Sequence, residues 1–222
     1  MIRAVLFDFD GTIADTISAL REGVNLTMEQ YGYPTHTDAD ILRFINNGAR
    51  ELIRRAMPEE LRRDEDLVDR VLADYNQNYL SVYHHTNRAY DGVAELISRL
   101  HGEGYRVGVL SNKQDGILRK LTKQVLIPGS YDGVQGVIPG HPTKPHPYLV
   151  EKLAAELCVS TLDCVMVGDS DVDFYTAQNA GLRHIGVTWG FRDEAFLRGK
   201  GATLLAHDPD ELLQLIYQLN EN

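Results

Sequence analysis

Cysteine is scarce in this chain: 222 residues hold two, Cys158 and Cys164. Their spacing fits neither a CxxC pair nor a disulfide framework. Both lie in or beside apolar stretches, which predicts core residues. No apolar run approaches the ~18 residues of a membrane-spanning helix. The chain opens directly on a strand-like run, Ile2 to Phe7, with none of the charged and apolar regions of an export signal. A cytoplasmic protein with no membrane partner is therefore expected. Base is also in deficit, with 22 Lys plus Arg against 32 Asp plus Glu and a formal net charge of −10. That balance opposes non-specific binding to nucleic acid or anionic membranes and makes a cation easy to accommodate. Between residues 16 and 84 there is no lysine at all. Gly102-Glu103-Gly104 precedes a strand pattern instead of following one, so it is no dinucleotide fingerprint.

What is present is an ordinary globular composition, 43% hydrophobic and 24% charged, long enough for one sizeable domain with a smaller one attached. "IRAVLF" reads as a buried strand. From Asp15 the period changes: Ile17, Leu20, Val24 and Met28 recur at helical spacing, and Gly32 ends that helix. "DADILRFI" and "ARELIRRAM" predict two short helices joined by Asn46-Asn47-Gly48, and Leu67, Val71, Tyr75, Tyr79 and Val82 mark one side of a long helix. Beyond residue 85, strand and helix patterns alternate to the end, as in a parallel sheet. The expected architecture is a Rossmann-like α/β core of residues 1–15 and 85–222 with an inserted all-helical domain at 16–84. In open α/β sheets ligands bind beyond the carboxyl ends of the strands. Asp8, Ser111 and Asp169 each follow a predicted strand, so they converge on one edge, and an insert leaving near residue 16 is expected above it.

Four segments carry chemistry. In "VLFDFDGT" the carboxylates Asp8 and Asp10 stand two residues apart, pointing the same way if extended. Like charges so close need a proton or a cation between them. One carboxylate can attack phosphorus while the other protonates a leaving oxygen and later activates water; Gly11 lets the backbone turn beside a ligand. In "VLSNK", Ser111 and Asn112 suit phosphate oxygens, or else cap the following helix. In "TKPHP", Lys144 is a point charge in a proline-stiffened loop, suited to phosphate and to shielding carboxylates. In "VMVGDSDVDF", Asp169 and Asp173 supply clustered oxygen ligands for a hard cation such as Mg²⁺, or an acidic helix start, which is how Asp171 is read. His84, His85, His141 and His146 are read as loop or solvent-facing residues, not metal ligands, and Trp189 as packing near the site.

The order DxDGT, S-N, K-P, GDxxxD resembles the haloacid dehalogenase superfamily. "INNGARELIRRAM", "VQG", "AQNAG" and "GVTWGF" are similar to its phosphoglycolate phosphatase branch. The resemblance implies a Mg²⁺-dependent phosphatase acting on a small phosphorylated metabolite, with phosphoglycolate-like substrates favoured. Asp8 would become an aspartyl-phosphate. Asp10 would be general acid and base, with its backbone carbonyl on Mg²⁺. Ser111, Asn112 and Lys144 would hold the phosphoryl group. Asp169 would bind Mg²⁺ directly, and Asp173 directly or through another group. The insert would be a mobile cap presenting Asn47, Gly48, Ala49 and Arg50 to the leaving group. Arg50 could grip a substrate carboxylate bidentately, or be a solvated helix residue beside a plain turn. A sugar phosphomutase resembling β-phosphoglucomutase, a pyrophosphatase or nucleotide phosphatase of the same branch, and a non-catalytic binding module are the alternatives.

Overall fold

The structure is a computed structural model. It describes residues 1–45, 47–86 and 88–221, and the side chains of 84–86 stand outside that description. Asn46 of the expected turn and the side chains of His84 and His85 therefore lie outside the described residues. Among the described residues no helix is long and apolar enough to cross a membrane.

The chain divides into two compact units, Met1–Asp15 with Ala89–Asn222, and Thr16–Arg88. The first is built on a six-stranded parallel sheet: β1 (Ala4–Phe7), β4 (Arg106–Gln114), β5 (Gly133–Val137), β6 (Cys164–Gly168), β7 (Arg183–Val187) and β8 (Leu205–Ala206), in the order β5-β4-β1-β6-β7-β8. This bears out the expected Rossmann-like α/β class. All four residues of β1 are buried, as are all five of β6, which is why these runs are apolar without alternation. Helices α7 (Tyr148–Glu156) and α8 (Asp171–Ala180) cover the sheet face that carries Ala4, Leu6, Leu110, Cys164 and Met166, with Leu149, Val150, Leu153 and Ala177 filling the layer. Burying each Leu there contributes about 2 kcal/mol. Helices α5 (Val93–Gly102), α6 (Asp115–Val125) and α10 (Pro209–Glu221) pack on the sheet as well.

The second unit contains α1 (Ile17–Gln30), α2 (Asp38–Phe44), α3 (Gly48–Ala56) and α4 (Glu65–Thr86), with a 3₁₀ turn at Glu59–Leu61. Thr37 and Asp40 form a capping box that starts α2. Gly23 of α1 lets α4 approach closely at Tyr79, since a methyl there would already press on the Tyr79 backbone. Helix α4 runs on to Thr86, so the second passage between the units falls at Arg88–Ala89, beyond residue 84. Two short strands, β2 (Ala14–Asp15) and β3 (Arg88–Ala89), pair with each other. Neither is visible as a pattern, because two residues carry no period.

Three features differ from expectation. Strand β4 extends through Ser111–Lys113 to Gln114, whereas the apolar run alone suggests an end at Leu110. Helix α9 (Glu194–Lys200) lies between β7 and β8 where no helix was expected; its seven residues are too few for a periodic signal. Cys164 is buried as expected, but Cys158 is exposed and adopts φ +56°, the left-handed cap that ends α7. Its N–H bonds Ala155 O at 3.1 Å, and that of Val159 bonds Ala154 O at 3.0 Å. Glycine suits that conformation, so Cys158→Gly is expected to stabilise the fold by about 0.5–1 kcal/mol. A thermal midpoint raised by about 1–4 °C in calorimetry would show it; an unchanged or lower midpoint would refute it.

Candidate active site

The sheet order sets the site. Phe7 is paired with Val109 of β4 on one side and with Val167 of β6 on the other. Asp8 extends the ladder one step, its N–H donating to Val167 O at 2.9 Å. Asp8 and Asp169, just past β1 and β6, and Ser111, within β4, therefore lie within two residues of one register line. The chain fills the β4–β5 side first and then returns to β6, so the switch in direction falls at β1, the ligand crevice of such sheets. The return connection, from β5 to α7, carries Lys144.

Lys144 is the hub. Its side chain is 4% exposed, and its Nζ lies 2.7 Å from Asp8 Oδ1 and 2.6 Å from Asp173 Oδ1. The Asn112 amide fixes its backbone twice: Nδ2 donates to Lys144 O at 2.9 Å, and Oδ1 accepts from Lys144 N at 2.7 Å. Asn112 thus positions the lysine, and neither Ser111 nor Asn112 caps α6, whose N-cap is Gln114. The other oxygen of Asp173 accepts from Ser170 N at 3.1 Å and Ser170 Oγ at 2.6 Å, closing a capping box at the start of α8. Asp171 stands in that first turn near Lys200, at 3.7 Å, as its reading as a helix-start acid implies. Asp169 accepts from Phe191 N at 2.7 Å and Thr12 Oγ1 at 3.3 Å.

Electrostatics are severe here. Burial, then Asp173 and Asp10, push the Asp8 carboxyl up to about 7, against the opposing pull of Lys144. Burial, then Asp173 and Asp8, raise Asp169 well above the usual carboxylate range, despite the Phe191 N–H. Burial alone would lower the Lys144 ammonium, but Asp173 and Asp8 more than reverse it and hold it charged. Ligand oxygens of Asp8, Asp169 and Asp173 lie within 4.8 Å of one another. Three carboxylates against one ammonium leave a formal −2 in a buried, all-oxygen cluster. This donor set fits a hard divalent cation.

The turn after β7 braces this cluster. Trp189 Nε1 donates to Thr12 O at 3.0 Å, while Phe191 N holds Asp169. Between them Gly190 faces Gly11, and a methyl on Gly190 would come closer than 3.0 Å to Gly11 O and Asp169 Cβ. Gly11 itself has φ +81°. Gly190→Ala must therefore displace the Asp8–Gly11 loop or Asp169. A shift of this kind costs about a hundredfold in rate. Steady-state turnover of Gly190→Ala tests this, and a wild-type rate would show that the close approach is irrelevant.

Asp10 does not join the cluster. Its Oδ1 lies 3.2 Å from Lys113 Nζ. Lys113, Thr12, Gly190 and Phe191 are parts of the site that motif reasoning missed, although Lys113 directly follows Ser-Asn and the others lie in quoted segments. Ser111 is buried, and its Oγ accepts from Lys113 N at 3.2 Å. His141 and His146 are exposed, in keeping with their reading as solvent-facing.

The helical unit has its own network around the four residues expected to meet substrate. Asn47 precedes α3, and its Oδ1 accepts from Arg55 Nη2 at 2.7 Å. Gly48 has φ +82°, and Ala49 occupies the first turn. Arg50 Nη2 lies 2.7 Å from Glu65 and 2.9 Å from Asp69, so its guanidinium is already engaged by carboxylates of α4.

A haloacid dehalogenase-like hydrolase family model matches residues 5–187. The chain belongs to the haloacid dehalogenase-like hydrolase family. This hydrolase is 29% identical over 194 residues to the phosphoglycolate phosphatase of Aliivibrio fischeri, covering 86% of each chain. It is 26% identical over 219 residues to that of Vibrio parahaemolyticus, covering 97% of this chain and 96% of the relative. A crystal structure from Lactobacillus delbrueckii subsp. bulgaricus, provisionally described as a phosphoglycolate phosphatase, superposes with a TM-score of 0.89 at 30% identity, over 96% of this chain and 98% of that one. The resemblance read from the motifs is thus borne out at the family level.

Proposed function

We propose that this hydrolase is a Mg²⁺-dependent phosphatase of small phosphomonoesters, with phosphoglycolate-like substrates favoured. The observation that carries this is the buried Asp8, held by Lys144 beside Asp169 and Asp173 at the carboxyl edge of the sheet. In this proposal Asp8 Oδ attacks phosphorus, the ester P–O bond breaks, and its oxygen takes a proton from Asp10. Water then attacks the aspartyl-phosphate. Asp10 accepts the water's proton, the P–Oδ bond breaks, and inorganic phosphate leaves with the Asp8 carboxylate restored. Ser111 and Lys144 hold the phosphoryl oxygens, and Asn112 keeps Lys144 in place. Mg²⁺, when bound, would be held by Asp8, Asp169, the Asp10 carbonyl and Asp173, and would supply charge neutralisation. The helical unit is assigned the role of a mobile cap, excluding water and presenting Asn47, Gly48, Ala49 and Arg50 to the leaving group. For Arg50 to take a substrate carboxylate, it must release Glu65 or Asp69.

The test is phosphate release with Mg²⁺ from phosphoglycolate, pyrophosphate, nucleotides and sugar phosphates, ranked by kcat/KM. Phosphoglycolate-like esters are expected near the top. Isomerisation of a hexose 1-phosphate without phosphate release would make the chain a mutase, and absence of turnover across the set would sink the phosphatase assignment. Independently, Mg²⁺ should raise the thermal midpoint, and more at pH 8 than at pH 5, because protons compete for the same oxygens. An equal rise at both would argue against carboxylate ligation.

A further inference from the structure

We propose that Lys113 positions Asp10 for proton transfer to the leaving group. This rests on the assignment of Asp10 as general acid in the proposed phosphatase.

Two lysines divide the acids at this sheet edge. Lys144 serves Asp8 and Asp173, and Lys113 serves Asp10. The Lys113 side chain is 8% exposed and that of Asp10 22%, which separates this pair from surface ion pairs that fluctuate freely in water. A largely buried ammonium 3.2 Å from Oδ1 restricts rotation of the Asp10 carboxyl.

The backbone explains why Lys113 reaches there. Between Leu110 and Gln114, β4 advances four residues while β5 advances only two, from Gln135 to Val137. The surplus lifts Ser111–Lys113 out of the regular ladder, and such bulges re-aim side chains. The bulge is pinned. Lys113 N donates to Ser111 Oγ at 3.2 Å, and Gly136 N donates to Asp115 Oδ1 at 2.9 Å. Gly136 also lies so close that a methyl there would come within 3.0 Å of Lys113 O. Lys113 is therefore presented from a fixed backbone.

In the step concerned, the P–O bond to the leaving group breaks and that oxygen keeps the electron pair. The proton passes to it from the Asp10 carboxyl, and Asp10 becomes a carboxylate beside the Lys113 ammonium. Lys113 orients the donor and meets the charge that forms on it.

A poor leaving group needs that proton and a good one does not. The test compares kcat/KM of Lys113→Met, Lys113→Arg and Asp10→Asn with wild type, using an alkyl phosphate and p-nitrophenyl phosphate, with Mg²⁺ present. For Lys113→Met we expect a loss of about 10²-fold on the alkyl ester, of the size general acids contribute, and under about tenfold on the aryl ester. Lys113→Arg, which keeps the charge, should recover much of the alkyl-ester rate, and if Lys113→Met does not fold by circular dichroism, Lys113→Gln takes its place with the same expected selective loss. Equal losses on both esters would mean that Lys113 binds phosphate or only supports the fold, and would overturn the proposal, as would no loss at all. Asp10→Asn separates the two levels. If it shows the selective loss and Lys113→Met does not, only the role of Lys113 falls; if Asp10→Asn also lacks it, the general-acid assignment falls.

Discussion

Asp8→Asn should abolish phosphate release while leaving the protein folded. An amide oxygen cannot form the acyl-phosphate, so the expected loss is on the order of 10⁴-fold or more, as for removed nucleophiles generally. The fold should tolerate the change because the amide oxygen still offers Lys144 an acceptor where Asp8 Oδ1 sits, 2.7 Å away. The substitution also removes one charge from a cluster in which Asp8 and Asp169 are both driven upward. The pH dependence follows with a definite sign. An acid held at about 7 in the folded protein, against 3.8 ordinarily, binds more protons folded than unfolded between those values. Metal-free stability should therefore fall as pH rises from about 4 to about 7, and Asp8→Asn should flatten that slope. Turnover assays with Mg²⁺ and thermal melts without it, across pH, measure both. A variant that still turns over at the wild-type rate would remove Asp8 as nucleophile, and an unchanged pH slope would show that its carboxyl is not the strained group.

Lys144→Met should damage the fold severely. It leaves Asp8 and Asp173 buried without their shared ammonium, and the Asp173 side chain is 0% exposed. Breaking a buried pair by removing one partner costs about 3–5 kcal/mol. In a chain of this size that is a fall of roughly 6–20 °C in thermal midpoint. Two controls identify the cause. Acid should shrink the deficit, because the stranded carboxylates then protonate, and Mg²⁺ should restore part of it by supplying positive charge. Calorimetry at two pH values, with and without Mg²⁺, reads all of this. A midpoint within about 1 °C of wild type would mean that the cluster is not held together by this lysine.

Much of the site was legible from segments of five to ten residues. Strand ends and turn residues are local signals, so Asp8 and Asp169 could be placed just past β1 and β6, Ser111 could be placed near the carboxyl end of β4 though not inside it, and the buried runs of β1 and β6 could be found from their apolar content. Short elements escaped: β2, β3 and α9 are too brief to repeat a pattern. Cys158 escaped for another reason. Its neighbours are apolar, but the demand on it is a left-handed cap at the surface, which hydropathy does not report. Asn112 was legible as a polar strand-end residue, yet what its amide does, gripping the Lys144 backbone, depends on a loop 32 residues away.

The sequence by itself determined the class of fold, the family and the set of acids and lysines available for chemistry, because periodicity and motif order are properties of the chain read in one direction. Tertiary structure alone decided the pairing. Lys144 reaches Asp8 across 136 residues because the chain crosses back over β1, and Lys113 reaches Asp10 because β4 bulges where it leaves the sheet. Charge partnership depends on distance in space, and the crossover and the bulge set those distances.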